Sequence, residues 1–329
     1  MSDPRNPKRQ RREAPLRVMS ADDLRAEQKN RPERTYLKKL HPHPRDKYVT
    51  FQDEGHIYSV AWAPDQKLSS EGIRSTTGLI AAFFHKFDQE SALRSILANP
   101  NHRKYKGMNR DEILAQWKQI SDKALAAGTQ LHERVEDWYN HIHHDVPRTP
   151  EFGYFLEYDA RVKAKGWCPF RTEWQLWSTA EFRLAGMIDM IYIHRDPKRH
   201  ALFEDGRWVL VLIMADWKRW KYEDSRNKEK RWPPKPAKKP YSHLPSNDYA
   251  KYQLQLNVYR HMLETWYGGM VYRGRVYDAI RIESMELVVM HPLNRQLHVL
   301  PVPRRDVTPI FDLARQQVQS WESKLLETQ

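Results

Sequence analysis

The chain has 329 residues, of which 40% are hydrophobic, so it can close a sizeable apolar core and is not disordered throughout. Its longest apolar run, residues 208–215, is far shorter than the roughly 18 residues of a transmembrane helix, which argues against a membrane protein. A single cysteine, Cys168, excludes an internal disulfide and any zinc or iron–sulfur site held by four cysteines. The first residues lack the apolar segment of a secretory signal, and we therefore expect an intracellular protein.

Positive charge is concentrated in two segments of the chain, whose formal net charge is +13. Residues 1–50 contain 14 Lys and Arg against 7 Asp and Glu, and residues 219–240 contain 9 against 3. Clustered positive charge favours a polyanionic partner such as nucleic acid, because each phosphate contact releases condensed counterions. The alternative is a solvated tail and a solvated loop that bind nothing.

The first 45 residues are rich in charge and proline and show almost no apolar periodicity, which predicts a flexible basic tail. Residues 8–12, Lys-Arg-Gln-Arg-Arg, match a nuclear localisation signal or a DNA-binding arm, although such patterns also occur by chance. We therefore expect the nucleus as the site of action and leave the cytoplasm open.

Apolar periodicity predicts the elements of one domain over residues 46–308. A hairpin should form from 48–51 and 56–60, and a long helix should begin after the N-cap Asn109 and break near Gly128. Strands are predicted at 170–178, 184–193, 208–217, 286–290 and 297–302, with a charged loop at 194–207 and helices at 248–266 and 309–327. The nearly all-apolar strand at 208–217 should be covered on both faces, so we predict an α/β fold with a central mixed β-sheet flanked by helices. The C-terminal helix, within 309–329, should pack on the same domain.

Two acidic residues are expected inside apolar strands, where a carboxylate needs a cation. Asp216 comes near the end of the central strand, and Lys218 follows two residues later on the same side of that strand. Asp189 lies within the preceding strand, and pairing of the two strands would bring both carboxylates within about one cross-strand spacing. The two acids could hold a metal ion, or Asp216 could form a buried ion pair with a lysine or arginine.

Glu173 lies on a third predicted strand and is either an exposed side chain or a part of the same site. His132 shares one helical face with Gly128 and Glu136. A lone helical histidine is usually structural, but a glycine one turn away would let the helix approach the sheet and bring His132 to the two carboxylates.

Gln255 and Tyr259 lie four residues apart on one face of the helix predicted at 248–266. They present an amide and a phenol to whatever lies opposite. Alone, they are equally compatible with an amphipathic helix whose polar side faces water.

The order of these motifs resembles the RecB-type branch of the PD-(D/E)XK nuclease superfamily. The motifs are Gly-x-x-x-His-x-x-x-Glu at 128–136, Glu173, Gly-x-x-Asp at 186–189, Asp-x-Lys at 216–218 and Gln-x-x-x-Tyr at 255–259. The resemblance covers roughly residues 48–305 and is strongest to nucleases of large DNA viruses, with the mitochondrial genome maintenance exonuclease family more distant. It implies a restriction-endonuclease-like core and makes a site of viral DNA replication a further expected location.

The resemblance also implies a role for each site residue. His132, Asp189, Asp216 and the main-chain carbonyl of Trp217 would hold one or two Mg²⁺ or Mn²⁺ ions. Lys218 would orient and help deprotonate the attacking water. Glu173, counted with the catalytic residues, would support the site, and Gln255 and Tyr259 would hold the lysine or the scissile phosphate. Supporting roles would fall to Gly128, Glu136 and Gly186. Branch members with an iron–sulfur cluster use four cysteines, so we expect no such cluster here.

The basic, proline-rich segment 219–243 follows the Asp-x-Lys motif directly and mixes cations with aromatic rings, a composition that suits a single nucleic-acid strand. Its candidate nucleic-acid-binding residues are Arg219, Trp220, Lys221, Trp232, Lys235, Lys238, Lys239 and Tyr241. A disordered surface insertion is the alternative.

Together these patterns predict a metal-dependent DNA nuclease, an exonuclease acting on free ends or single strands in replication, repair or recombination. Two alternatives stay open. The chain could be a non-catalytic nucleic-acid-binding module on the same fold, or its substrate could be RNA.

Overall fold

The computed structural model describes residues 33–142, 149–231 and 233–327. The helices are α1 (Tyr36–Leu40), α2 (Thr76–Ile80), α3 (Gln89–Leu97), α4 (Arg110–Tyr139), α5 (Pro150–Ala164), α6 (Pro197–His200), α7 (Tyr222–Arg231), α8 (Asp248–Trp266) and α9 (Thr308–Glu327). The strands are β1 (Val49–Gln52), β2 (Ile57–Val60), β3 (Arg74–Ser75), β4 (Trp167–Trp177), β5 (Leu184–His194), β6 (Ala201–Glu204), β7 (Arg207–Lys218), β8 (Met270–Tyr272), β9 (Arg275–Tyr277), β10 (Ala279–Val289) and β11 (His298–Pro301). Among these residues no helix combines the length and the apolar character needed to cross a membrane.

One mixed sheet forms the centre of the molecule. Strands β11, β10, β7, β5 and β3 lie side by side in that order, β4 pairs with β5, and β6 pairs with β7. Strand β7 is parallel to β10 and antiparallel to β5. Helices pack on both faces, which confirms the predicted α/β fold with a central mixed sheet.

Strand β7 is covered on both faces, as its apolar sequence predicts. Leu212 and Met214 pack in the larger apolar cluster, which includes side chains of α8 and α9. Ile213 and Ala215 face the opposite way, into a second cluster built with α1, α4 and α5. Alternate residues of one strand therefore tie together two layers of helices, and an acidic residue in this strand meets protein on either side.

The strongly periodic elements lie where the sequence predicts them. The hairpin β1–β2 is antiparallel, and α8 has the predicted bounds. Asn109 and Glu112 form the expected capping box at the start of α4. The predicted break near Gly128 is wrong, because α4 is continuous to Tyr139. A glycine costs about 1 kcal/mol inside a helix, and burial of apolar residues such as Val135 in the next turns outweighs that cost.

Several elements are absent from the prediction. The chain forms α5 before the first long strand, and α7 lies inside the basic segment 219–243. The charged loop at 194–207 contains α6 and β6, and β10 begins at Ala279, seven residues before the strand expected from 286. Short or strongly charged elements such as α6 and α7 show little apolar periodicity of their own, so tertiary contacts decide their conformation.

The predicted flexible tail ends earlier than residue 45. Residues 1–32, with the basic patch at 8–12, lie outside the described part of the chain, but residues 33–45 pack on the domain. Leu37 is buried in the cluster that contains Leu131 and Val135. Arg45 Nη2 donates to the main-chain carbonyls of Trp177 and Ser178, each at 2.7 Å. The prediction failed here because one buried leucine and a few long-range polar contacts leave no periodic pattern.

Helix α1 offers a direct test of this packing. Leu37→Ala should lower the free energy of unfolding by about 2–4 kcal/mol, since it removes a buried side chain that is 3% exposed. Leu40→Ala is the matched control, because Leu40 is 54% exposed on the same helix and should change stability by less than about 0.5 kcal/mol. Urea unfolding followed by tryptophan fluorescence measures both. Equal stability of the two variants would contradict a packed α1.

Candidate active site

The predicted acidic residues converge at one end of the sheet. The register of β5 and β7 places Asp189 next to Asp216, and that of β4 and β5 places Glu173 opposite Asp189. Glu173 has a φ of 43°, in the left-handed region that a residue other than glycine adopts at a cost. Such strained residues concentrate at functional sites. Three neighbouring strands thus each contribute one carboxylate to the same place.

His132 reaches this site from α4. Its Nε2 donates a hydrogen bond to the main-chain carbonyl of Trp217 at 3.1 Å. Its Nδ1 lies 3.6 Å from Asp189 Oδ2 and 3.8 Å from Glu173 Oε1. Asp189 Oδ2 also accepts a hydrogen bond of 2.7 Å from the main-chain N–H of Trp217. The main chain of Trp217, near the end of strand β7, therefore orients both the imidazole and the carboxylate.

Asp216 and Lys218 form a close ion pair at the end of β7. Lys218 Nζ lies 2.5 Å from Asp216 Oδ2 and 4.8 Å from the centre of the Tyr252 ring. Asp216 is 1% exposed, and its Oδ1 has no hydrogen-bond partner among the described residues. The predicted buried pair is present, and one carboxylate oxygen beside the other acids is left without a donor.

Burial and neighbouring charges shift the pKa values of three groups of the site, Asp216, Glu173 and His132. Burial, with the charge of Asp189 adding to it, raises the pKa of Asp216 to about 7. Burial also raises the pKa of Glu173. Burial alone would lower the pKa of His132, but the carboxylates of Asp189 and Glu173 raise it to about 9. A cation beside Asp216 and Glu173 favours their charged forms, and a bound metal ion would supply one.

These residues fit a divalent metal ion. His132, Glu173 and Asp189 each offer one ligand atom, and those atoms all lie within 4.8 Å of one another. Oxygen ligands with one imidazole suit Mn²⁺ as well as Mg²⁺. The structure brings the predicted ligands His132 and Asp189 together with Glu173, whereas Asp216 lies outside this group and pairs with Lys218, and metal binding itself stays a prediction.

Glu136 forms an outer layer of the site. Burial and the nearby charge of Glu173 raise the pKa of Glu136 to about 8, and Arg34 opposes the rise. The Arg34 guanidinium lies 3.3 Å from Glu136 Oε2 and 2.5 Å from Asp137 Oδ1. A residue of the N-terminal segment thus compensates acids of α4 directly behind the candidate ligands.

The two glycines of the motifs have different surroundings. A Cβ on Gly186 would lie 2.4 Å from Tyr259 Cε1, so this glycine lets the tyrosine ring rest against β5. Gln255 Nε2 donates to the Tyr259 hydroxyl at 3.3 Å, and both residues are buried rather than facing water. A Cβ on Gly128 would meet nothing within 4 Å. The prediction that Gly128 lets α4 approach the sheet is therefore wrong, because this glycine borders open space.

Two residues predicted to bind nucleic acid have internal partners. Arg219 Nε lies 3.0 Å from Glu151 Oε1 in a largely buried ion pair. Tyr241 is 3% exposed, and its hydroxyl donates to the main-chain carbonyl of Asp306 at 3.0 Å. Tyr241 cannot stack on a base in this arrangement, and the prediction is wrong for it. The segment also contains buried Ala237 and helix α7, so it is not a loose insertion.

The other candidate nucleic-acid-binding residues differ in their exposure and in their contacts. Trp220 is half-buried and packs against Tyr222, with ring centres 5.1 Å apart. Lys238 Nζ donates to the carbonyl of Ala82 at 3.1 Å. Trp232 lies outside the described residues. Lys221, Lys235, Lys238 and Lys239 of this group are exposed, and helix α7 of the same segment carries four more exposed cations, Arg226, Lys228, Lys230 and Arg231.

Sequence reasoning missed three residues that contact or border the site. Tyr252 lies beneath Lys218, and its spacing of three and seven residues from Gln255 and Tyr259 could have placed it on the same helical face. Tyr58 on β2 lies close enough to the acids that, besides burial, their charges raise the pKa of its phenol. Arg34 lies in the presumed tail. Neither Tyr58 nor Arg34 belongs to a local pattern that points to the site.

Comparisons with known proteins add little. No protein-family model matches the chain, and no curated protein matches it. Among solved structures, one described as "Crystal structure of SSO0001" has 12% sequence identity and a TM-score of 0.29, and the match covers 77% of this chain and 78% of that one. A similarity of this size supports no conclusion about fold or function, so the site itself has to support any functional argument.

The two glycines should respond oppositely to alanine. Gly186→Ala forces the Tyr259 ring or β5 to move and should lower the free energy of unfolding by about 1–3 kcal/mol. Gly128→Ala meets no neighbour inside a helix and should raise it by up to about 1 kcal/mol. Urea denaturation of both variants measures these changes. Destabilisation by Gly128→Ala would restore a packing role for that glycine.

Metal binding can be tested without any assumption about activity. Mn²⁺ should raise the melting temperature, because a ligand at a hundred times its Kd stabilises the folded state by about 2.7 kcal/mol. His132→Asn should lose most of this gain. His141→Asn is the matched control, since His141 is exposed just beyond the same helix and its φ of 58° is compatible with asparagine. An equal Mn²⁺ response in parent and His132→Asn would exclude His132 as a ligand.

Proposed function

We propose that the protein is a metal-dependent nuclease that hydrolyses phosphodiester bonds of DNA at free ends or in single strands. The observation that carries the proposal is the buried Asp216–Lys218 pair, 2.5 Å apart, beside a group of three metal-ligand side chains. Removing this many ionisable groups from water is unfavourable for folding. Clusters with pKa values shifted by burial and by each other are typical of catalytic sites.

The acids and the histidine would hold the ion. His132, Glu173, Asp189 and Asp216 are the candidate ligands, with the carbonyl of Trp217 completing the protein's share. When bound, Mg²⁺ or Mn²⁺ neutralises negative charge on the reacting phosphate and favours ionisation of water.

Lys218 would position the attacking water as a hydrogen-bond donor. Burial alone would lower the pKa of Lys218, but Asp216 and Asp189 raise it above its ordinary value. As an ammonium, Lys218 can donate hydrogen bonds to the attacking water and stabilise developing negative charge. Tyr252, whose ring centre is 4.8 Å from Nζ, restricts the positions that the lysine can take.

Gln255 and Tyr259 would support the reacting phosphate from α8. Their side chains are joined by a hydrogen bond of 3.3 Å, and Tyr259 rests on Gly186 of β5. This contact fixes the helix against the strand that carries Asp189. The amide and the phenol are uncharged groups that can donate hydrogen bonds to a phosphate.

The charge distribution supports nucleic acid as the substrate class. The excess of cations in residues 1–50 and 219–240 suits a polyanion, although Arg34 and Arg219 are paired with acids. A nuclease of DNA would act where DNA is present, in the nucleus or at a site of viral DNA replication.

A cleavage assay tests the proposal. End-labelled single- and double-stranded DNA and RNA are incubated with the protein in Mg²⁺, Mn²⁺ or EDTA, and we expect metal-dependent cleavage of DNA. Asp216→Asn should reduce cleavage by more than about a hundredfold, because loss of even an outer partner of a metal site commonly costs 10- to 100-fold. Asp65→Asn is the matched control, since Asp65 and Lys67 form the same Asp-x-Lys triplet in an exposed turn.

Three outcomes would contradict the proposal. Binding of DNA without cleavage in either metal would indicate a non-catalytic nucleic-acid-binding protein. Cleavage of RNA alone would change the substrate. Equal turnover of the Asp216→Asn and Asp65→Asn variants would place the chemistry at another site.

A further inference from the structure

A groove of about 730 Å³ lies between the β1–β2 hairpin, the segment 70–82 and helix α9. Pockets that hold small organic ligands have volumes of about 300–1,000 Å³. Tyr58 and Ile57 give the groove aromatic and apolar surface, and Ser70 and Gln317 give it hydrogen-bonding groups. None of the described residues that line it is acidic, whereas Arg74 contributes a positive charge.

The groove and the acidic site both lie along strand β5. Tyr58 belongs to its lining and also lies near Glu173 and Asp189, whose charges add to burial in raising the pKa of its phenol. Strand β3 pairs with the start of β5 and places Ser75 beside Ala185. Ala185 precedes Asp189 by four residues, or about 13 Å along the strand. A chain of a few nucleotides is long enough to occupy both places.

Arg74 is the cation of the groove that is free to bind a phosphate. It is exposed, and it forms no ion pair with any residue that the structure describes. Arg219, by contrast, is held by Glu151 on the other side of the site. A polyanion beside four acids needs attraction from neighbouring surface, and the groove supplies it without an opposing carboxylate.

We propose that this groove binds an unpaired nucleotide of a DNA strand whose scissile phosphate lies at the acidic site. The base would lie against Tyr58 and the exposed Ile57, and Arg74 would contact the backbone phosphate. An unpaired nucleotide is required because a base stacked inside a duplex cannot enter a concave groove. The inference rests on the proposed nuclease function and adds the place where the substrate strand is held.

The phosphate contact is tested by binding measurements in EDTA, where no cleavage occurs. Fluorescein-labelled oligothymidylate is titrated with the full chain, and anisotropy gives Kd from about 50 to 200 mM NaCl. Arg74→Ala should weaken binding about fivefold at 0.1 M salt and lower the slope of log Kd against log salt by about 0.7, the value for one contact to a single strand. Arg74→Lys should keep the slope.

The matched control for Arg74 is Arg207. This residue is also an exposed arginine in a strand, but it begins β7, eleven residues or about 36 Å from Lys218. Arg207→Ala should therefore leave both Kd and the salt slope unchanged.

Filling the groove tests the base contact separately. Ala82 lies in the lining and is exposed, so Ala82→Trp should obstruct the groove without removing a charge. Binding should weaken by about fivefold or more, the lower end of the effect of losing one stacked base, with an unchanged salt slope. Ala98→Trp, at an exposed position just after α3, is the control and should bind as the parent does. Melting temperatures verify that each variant is folded.

The outcomes separate this proposal from the nuclease proposal. If folded Arg74→Ala and Ala82→Trp bind as the parent does while the parent cleaves DNA, the groove proposal is wrong and the nuclease proposal stands. Failure of the parent to bind the oligonucleotide also overturns the groove. If both variants lose affinity but no metal supports cleavage, the groove is correct and the nuclease proposal fails.

Discussion

Compensation of buried negative charge is the constraint on which this structure depends. Glu136, Glu173, Asp189 and Asp216 lie close together beside apolar strands, and burial raises the pKa values of three of them. Each acid needs a cation or a donor, and these come from different parts of the chain: Lys218 from β7, the Trp217 main chain beside it, and Arg34 from the N-terminal segment. Polar contacts at the site therefore join elements that apolar packing alone would not bring into contact.

The sequence predicts elements whose burial depends on their own residues. The bounds of α8 and the central position of β7 follow from local periodicity, because long apolar runs have few alternatives to burial. Elements stabilised by distant contacts were missed. Helix α1 is held through Leu37 and a hydrogen bond to Asn140, 103 residues away, and a sequence pattern cannot report such a contact.

The residues of the candidate site also fall into those that the sequence predicts and those that it does not. Asp189 and Asp216 could be predicted because a carboxylate in an apolar strand is conspicuous and needs an explanation. Arg34 and Tyr58 could not, since each reaches the site only through the tertiary fold. Composition also misled: an aromatic ring in a basic segment suggested stacking, yet Tyr241 is buried and bonded to a carbonyl. Residue type indicates what a side chain can do, and burial decides whether it is available.

Net charge overstates how much positive surface can meet a phosphate. The two basic segments account for the whole surplus of cations, but Arg34 and Arg219 of these segments are used to neutralise acids inside the fold. A cation already paired with a buried carboxylate releases few counterions when a strand binds, so it adds little to affinity. Attraction of the substrate has to come from unpaired cations on surface that lacks acids. Arg74, outside both basic segments, satisfies both conditions, so the proposed groove and the acidic site draw their charged side chains from different elements.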